Sequence, residues 1–170
     1  LHFSVNIAAI ELTHRNIVAS VHEAVEESNA DPAWLTLELT ERMLADDTPQ
    51  LMATLNQLRE LKVGLSVDDF GVGYSSFRYI DRYPLTEIKI DKGFVGEMSQ
   101  SPAKRIIIGA IIEIGRELNL DIVAEGIETE AQRDALKAMN CPFGQGYLFG
   151  APVEPDVFKA LVMVENDTHY

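Results

Sequence analysis

Residues 64–77 read GLSVDDFGVGYSSF. A short apolar-rich run ends in two adjacent carboxylates, Asp68 and Asp69, and enters a glycine-punctuated turn closed by Tyr74, Ser75 and Ser76. A strand over Gly64 to Val67, a turn, and a helix-like pattern over Ser76 to Tyr83 make one β-then-α unit. Outward from this stretch the unit recurs. Strands are expected at Phe3 to Ile7, Leu35 to Leu39, Glu87 to Ile90, Ile122 to Ala124 and Phe143 to Gln145. Helices are expected at Leu12 to Ser28, Pro49 to Lys62, Ala103 to Leu118, Glu130 to Asn140 and Pro155 to Val164. Asp47 and Thr48 before Pro49, Ser101 before Pro102 and Thr129 before Glu130 are N-terminal helix signals.

Strands separated by helices of this length pair in parallel, in an open doubly wound sheet or a closed barrel. The first βα turn lacks GxGxxG, and GxxxxGK[ST] occurs nowhere, so the common nucleotide-binding open sheets lose their main support. Nearly every expected strand instead finishes in polar groups: Asn6, Glu38 with Glu41, Asp68 with Asp69, Lys89 with Asp91, Glu125 with Glu128, and Gln145. Any one of these could be a solvated residue at a strand exit. A βα barrel gathers the C-terminal ends of its strands on one face, where its active sites lie, and six such endings in succession point to that arrangement. The fold expected is therefore α/β, a TIM-like βα barrel.

The 170 residues are 46% hydrophobic and contain no low-complexity linker, which is the size and composition of one domain. A formal charge of −13 disfavours nucleic acid polymers and anionic membranes, and an anionic ligand would need cations to hold it. The single cysteine, Cys141, leaves no internal disulfide and fits a reducing compartment. The four histidines show no HxH or HExxH spacing for a zinc site. The most apolar stretch, Ile106 to Ile114, is interrupted by Gly109 and Glu113 and is too short to cross a bilayer. The chain starts on a strand-like run, LHFSVNI, without an initiator methionine or a signal segment, as expected of a piece of a longer protein.

Several carboxylates gathered on one rim repel one another and need protons or cations. Hard oxygen ligands favour Mg²⁺ or Mn²⁺, and an adjacent Asp-Asp pair can serve two ions that activate water and clamp a phosphodiester. In LTEIKID, alternation puts Lys89 and Asp91 on the face opposite Ile88 and Ile90. Lys89 could orient a metal-bound water, stabilise phosphate charge, or form a structural ion pair. In LTLELTE the same alternation turns Glu38 and Thr36 towards the barrel interior.

The segments SVNIAA, LELTE, DDFGVGYSSF, EIKIDKGFV, IVAEGIET and FGQGYLFGAPV resemble, in order and approximate spacing over nearly the whole chain, the EAL domain, the bacterial phosphodiesterase of cyclic di-GMP. The resemblance implies a modified eight-stranded βα barrel with an antiparallel first strand, and hydrolysis of cyclic di-GMP to linear pGpG with Mg²⁺ or Mn²⁺. It implies metal-ligand roles for Asn6, Glu38, Asp68, Asp69 and Glu125, with Asp69 shared between two ions and Glu125 doubling as general base. Lys89 matches the lysine that orients the attacking water, and Glu128 and Gln145 match positions that help hold ions and water. Glu41 matches the glutamate that fixes the loop after Asp69. The resemblance also implies a cytoplasmic homodimer, with a fused sensor or GGDEF domain in the parent protein.

The sequence departs from the family pattern at four places. The EAL signature lies upstream of SVN in the family, and this chain begins after it. Residues 1–170 are thus expected to be the C-terminal portion of one EAL domain, a partial barrel of about six parallel strands. Such a piece would lack a metal ligand and expose two edges. Alone it would be a poor enzyme, or would complete itself by oligomerisation or strand exchange. Val72 stands where Thr or Ala is usual, NIAA replaces NLSA, and Ala151 stands where Arg or Lys commonly precedes the proline. The helix carrying Phe77, Tyr79, Ile80 and Tyr83 is expected to pack in the core or to meet a dimer partner. Trp34 is expected to pack at the N-terminal side of the barrel, and Met139 and Cys141 to be core or loop residues. A cyclic di-GMP receptor without turnover is the competing reading. A barrel glycosidase is disfavoured by the scarcity of aromatic residues near the strand ends.

Overall fold

The computed structural model describes residues 2–13, 16–45, 47–72 and 80–166. Six strands lie side by side in chain order, each neighbouring pair parallel: β1 (Phe3–Asn6), β2 (Leu35–Thr40), β3 (Gly64–Phe70), β4 (Glu87–Ile90), β5 (Asp121–Ala124) and β6 (Phe143–Gly144). The helices are α1 (Ala9–Thr13), α2 (Ile17–Ser28), α3 (Glu41–Leu44), α4 (Pro49–Glu60), α5 (Lys92–Glu97), α6 (Pro102–Leu118), α7 (Glu130–Ala138) and α8 (Pro155–Asn166). The sheet is curled into a half-barrel. His2 and Ser4 from the β1 end and Phe143 and Gln145 from the β6 end line one lumen with Glu87 and Lys89.

Alternation within each central strand separates two environments. Leu37, Leu39, Leu65, Val67, Ile88, Ile90, Ile122 and Ala124 face the helices and are essentially fully buried. Each large side chain of this set contributes about 1.5–3 kcal/mol by leaving water. The residues between them, Thr36, Glu38, Ser66 and Lys89, are buried polar groups of the lumen face. The N-terminal helix signals are satisfied as read: Thr48 Oγ1 accepts from Leu51 N–H, Ser101 Oγ from Lys104 N–H, and Thr129 forms a capping box with Gln132.

Several boundaries differ from the sequence reading. The helix expected over 12–28 is two, α1 and α2, with residues 14–15 outside the described part. Much of the helix expected over 76–83 also lies outside it, and residues 80–83 form a turn and a bend. Pro84 disfavours helix at Tyr83, and Ile80 and Tyr83 are buried in the core. The four-residue α3 and six-residue α5 are too short to show a helical period. Trp34 precedes β2 and is 42% exposed, lining an apolar groove of about 490 Å³ with Phe3, Val5, Val21 and Val25. Cys141 is half-buried beside β5, its thiol donating to Phe143 O at 3.3 Å, and burial raises its pKa.

The largest correction concerns β3. It runs to Phe70 instead of stopping at Val67, and its register against β4 slips: Val67 pairs with Ile88, but Phe70 pairs with Ile90. Three steps on β3 thus match two on β4, the signature of a β-bulge. Asp69 sits in it with φ 53°, a left-handed value that Asp tolerates better than most residues.

Candidate metal centre

Strict alternation would send Asp68 and Asp69 to opposite faces of the sheet. The bulge removes that conflict. Phe70 remains on the helix side, 1% exposed, and both carboxylates reach the rim. There one carboxylate oxygen from each of Asp68, Asp69 and Glu125 lies within 4.8 Å of the others. Burial, then repulsion by Asp68 and Asp91, raises the pKa of Asp69, while Lys92 and Lys89 oppose the rise. Burial raises the pKa of Glu125 as well, against its contact with Lys89. Three converging oxygen donors with two carboxyls held above their ordinary range form a set that a hard cation would relieve.

Lys89 is the positive counterpart. Only 4% exposed, its ammonium lies 2.6 Å from Glu38 Oε1 and 2.6 Å from Glu125 Oε1. Burial alone would lower its pKa, but the hydrogen bonds to Glu125 and Glu38 outweigh that and raise it. The amide of Gln145 donates to the same Glu125 Oε1 at 2.7 Å. One carboxylate oxygen is therefore fixed from β4 and from the residue after β6. One layer deeper, Glu87 and Ser66 face each other across β3 and β4. Burial raises the Glu87 pKa and the nearby Ser66 hydroxyl eases it, yet among the described residues neither Ser66 Oγ nor Glu87 Oε1 completes a hydrogen bond of ordinary geometry.

The remaining expected site residues are placed less uniformly. Asn6 ends β1 opposite Glu38 in register but is exposed. Glu38 points into the lumen as expected, with its carboxylate engaged by Lys89 and outside the Asp68, Asp69, Glu125 trio. Glu128 is exposed at the mouth of a pocket of about 570 Å³ shared with Glu125 and Gln145, and its backbone N–H donates to Gln132 Oε1. Glu41, 6% exposed, accepts from the Gly71 N–H at 3.4 Å in the turn after Asp69. Gly71 has φ +100°, and a Cβ there would fall 2.8 Å from the Phe94 ring, so this turn requires glycine. The rest of the loop, residues 73–79, lies outside the described residues. Lys92, directly after Asp91 in EIKIDK, also lines the pocket, although nothing in its local pattern marks it out.

A profile of the EAL domain matches residues 1–152. The chain belongs to the EAL domain family. The bifunctional diguanylate cyclase/cyclic di-GMP phosphodiesterase MucR of Pseudomonas aeruginosa is 41% identical over 161 residues, 95% of this chain and 24% of MucR. Other curated relatives are likewise covered over about a fifth of their length. Among solved structures, the PaMucR phosphodiesterase in complex with c-di-GMP superposes with a TM-score of 0.87 at 41% identity, over 92% of this chain and 64% of that one. A manganese and cyclic di-GMP complex of Klebsiella pneumoniae BlrP1 superposes with a TM-score of 0.83 at 27% identity, over 89% of this EAL chain and 39% of that one.

Proposed function

We propose that this EAL domain hydrolyses cyclic di-GMP to linear pGpG with Mg²⁺ or Mn²⁺, lowering the second messenger. The observation that carries the reading is the convergence of Asp68, Asp69 and Glu125 beside the buried Lys89, in a family whose relatives include a named cyclic di-GMP phosphodiesterase. Asp68, Asp69 and Glu125 would hold the ions together with Glu38 and Asn6, Asp69 being shared. When bound, such ions would supply an activated water and charge neutralisation at the scissile phosphate. Glu125 would take the proton of that water, a task suited to a carboxyl whose pKa is raised by burial. Lys89 would orient the water, and Gln145 would keep Glu125 aimed. Glu128 would support the ions from the pocket mouth, and Glu41 would hold the loop after Asp69 in place.

The same reading makes residues 1–170 the C-terminal part of one EAL domain. What supports it is the pair of sheet ends, where Phe3, Val5 and Phe143 are 43–53% exposed on strands with one neighbour each. Further strands with their helices would pair with these edges and complete the barrel. A cytoplasmic, homodimeric setting with a fused sensor or GGDEF domain belongs to this proposal. No helix among the described residues is long and apolar enough to cross a membrane. The test is a product assay on the complete protein with Mg²⁺ or Mn²⁺: pGpG should form, and chelation should stop it. Cyclic di-GMP bound without pGpG would instead make the domain a receptor.

A further inference from the structure

At pH 7 the chain carries 13 more negative than positive charges, so a dianionic cyclic dinucleotide meets net repulsion on approach. The cluster's own lysine cannot greet it at the surface, because Lys89 is 4% exposed and held by Glu38 and Glu125. The pocket of about 570 Å³ beside Glu125 is walled by Glu125, Glu128, Gln145, Tyr147 and Pro152 among others, and Lys92 is the one cation among its described lining residues. Ala151, on the same wall, contributes no charge.

Lys92 is also fixed in position. It opens α5 directly after Asp91, whose carboxylate accepts from Gly93 N–H at 2.9 Å. Its stem lies against the turn that follows Glu125: a Cβ on Gly126, which has φ +66°, would sit 2.4 Å from Lys92 Cβ and 3.2 Å from its Cα. The helix start is thereby pressed onto the turn that carries Glu125. Lys92 is exposed, has no ion-pair partner within 4.0 Å among the described residues, and stands near enough to Asp69 to oppose the rise in its pKa. A cation with a fixed root and a free head, in a pocket that it shares with Glu125, suits an anionic oxygen arriving from solvent.

We propose that Lys92 binds a phosphate oxygen of the incoming cyclic dinucleotide at the pocket mouth and sets substrate affinity. This rests on the proposed phosphodiesterase reading. Lys92 makes its contact equally in the bound substrate and the transition state, so its loss acts on KM. The experiment compares Lys92→Arg, Lys92→Gln and Lys92→Glu in the complete protein, by steady-state pGpG formation and by cyclic di-GMP binding with Ca²⁺ as the metal. The expected result is KM and Kd rising in the order Arg, Gln, Glu, by about three- to tenfold for Gln, while kcat stays within about twofold. Equal KM and Kd across the three variants overturn the proposal, as does a fall in kcat at constant KM. The phosphodiesterase reading fails separately: wild type that binds the dinucleotide without forming pGpG rejects hydrolysis, and Lys92 is then judged on Kd alone. Wild type that neither binds nor hydrolyses overturns both.

Discussion

Strands β1 and β4 are each four residues long, and each alternates apolar with polar side chains, yet their environments are opposite. FSVN is exposed at every position, whereas EIKI is buried at three of its four. The difference is one of place. A parallel strand with a neighbour on each side has its backbone satisfied and both faces covered, while an end strand has one ladder and one open edge. The polar residue that each contributes inherits that contrast. Lys89 is held by two carboxylates at 2.6 Å, and Asn6 is set by β2 alone.

The sharpest way to break this comparison is to remove the charge at the centre. Lys89→Met leaves Glu38 and Glu125 without their shared cation, and should lower turnover at least about 10³-fold and unfolding free energy by about 3 kcal/mol. Assay and urea titration would check both; a loss no greater than that from Asn6→Ala would show that burial at the centre confers nothing. The native lysine also sets an alkaline limit. Its folded pKa is raised above 10.5, so its stabilisation is complete below the unfolded value and is lost as pH rises through the folded one. Unfolding midpoints in wild type should therefore fall at high pH, and those of Lys89→Met should fall less.

Next in size is the rim. The carboxyl of Asp69 has a raised pKa, so without ions it costs stability once pH passes its unfolded value of about 3.8, and acidification relieves it. Asp69→Asn should be neutral or mildly stabilising in chelator. It should also lose most of the thermal stabilisation that Mn²⁺ gives wild type, which is about 2.7 kcal/mol at a hundredfold excess over Kd. Stabilisation by Mn²⁺ that survives the substitution removes Asp69 from the ligand set. At the open end the effects shrink. Asn6→Ala should reduce turnover about tenfold with a stability change under about 0.5 kcal/mol. Smallest is Phe158→Ala, which deletes the edge-to-face contact between α8 and Phe3 at 6.1 Å, worth about 0.5 kcal/mol in thermal scans. A larger loss there would mean that α8 is a principal clasp of the β1 end.

Much of this arrangement was legible residue by residue. LTLELTE states its alternation outright, and Glu38 faces the lumen accordingly. Thr129 announces the start of α7, and Gln132, three residues on, completes a capping box with it. Lys92 carried no comparable signal, because a lone exposed lysine at a helix start is usually solvated. Its placement depends on Gly126, some thirty residues later, yielding the space beside it. Glu87 and Ser66 were equally silent, since a strand pattern gives the face a residue takes but not whether its polar atoms find partners.

By itself the sequence determined which face each central-strand residue takes, where α4, α6 and α7 start, and that polar groups end the strands. These follow from periods and caps acting within a few residues of one another. Tertiary structure alone decided how Asp68 and Asp69, adjacent on one strand, reach the same rim. A period of two forbids it, and only pairing with β4 forces the extra residue into a bulge that turns Asp69 beside its neighbour while keeping Phe70 in the core. Register is a property of two strands, so one strand's sequence cannot state it.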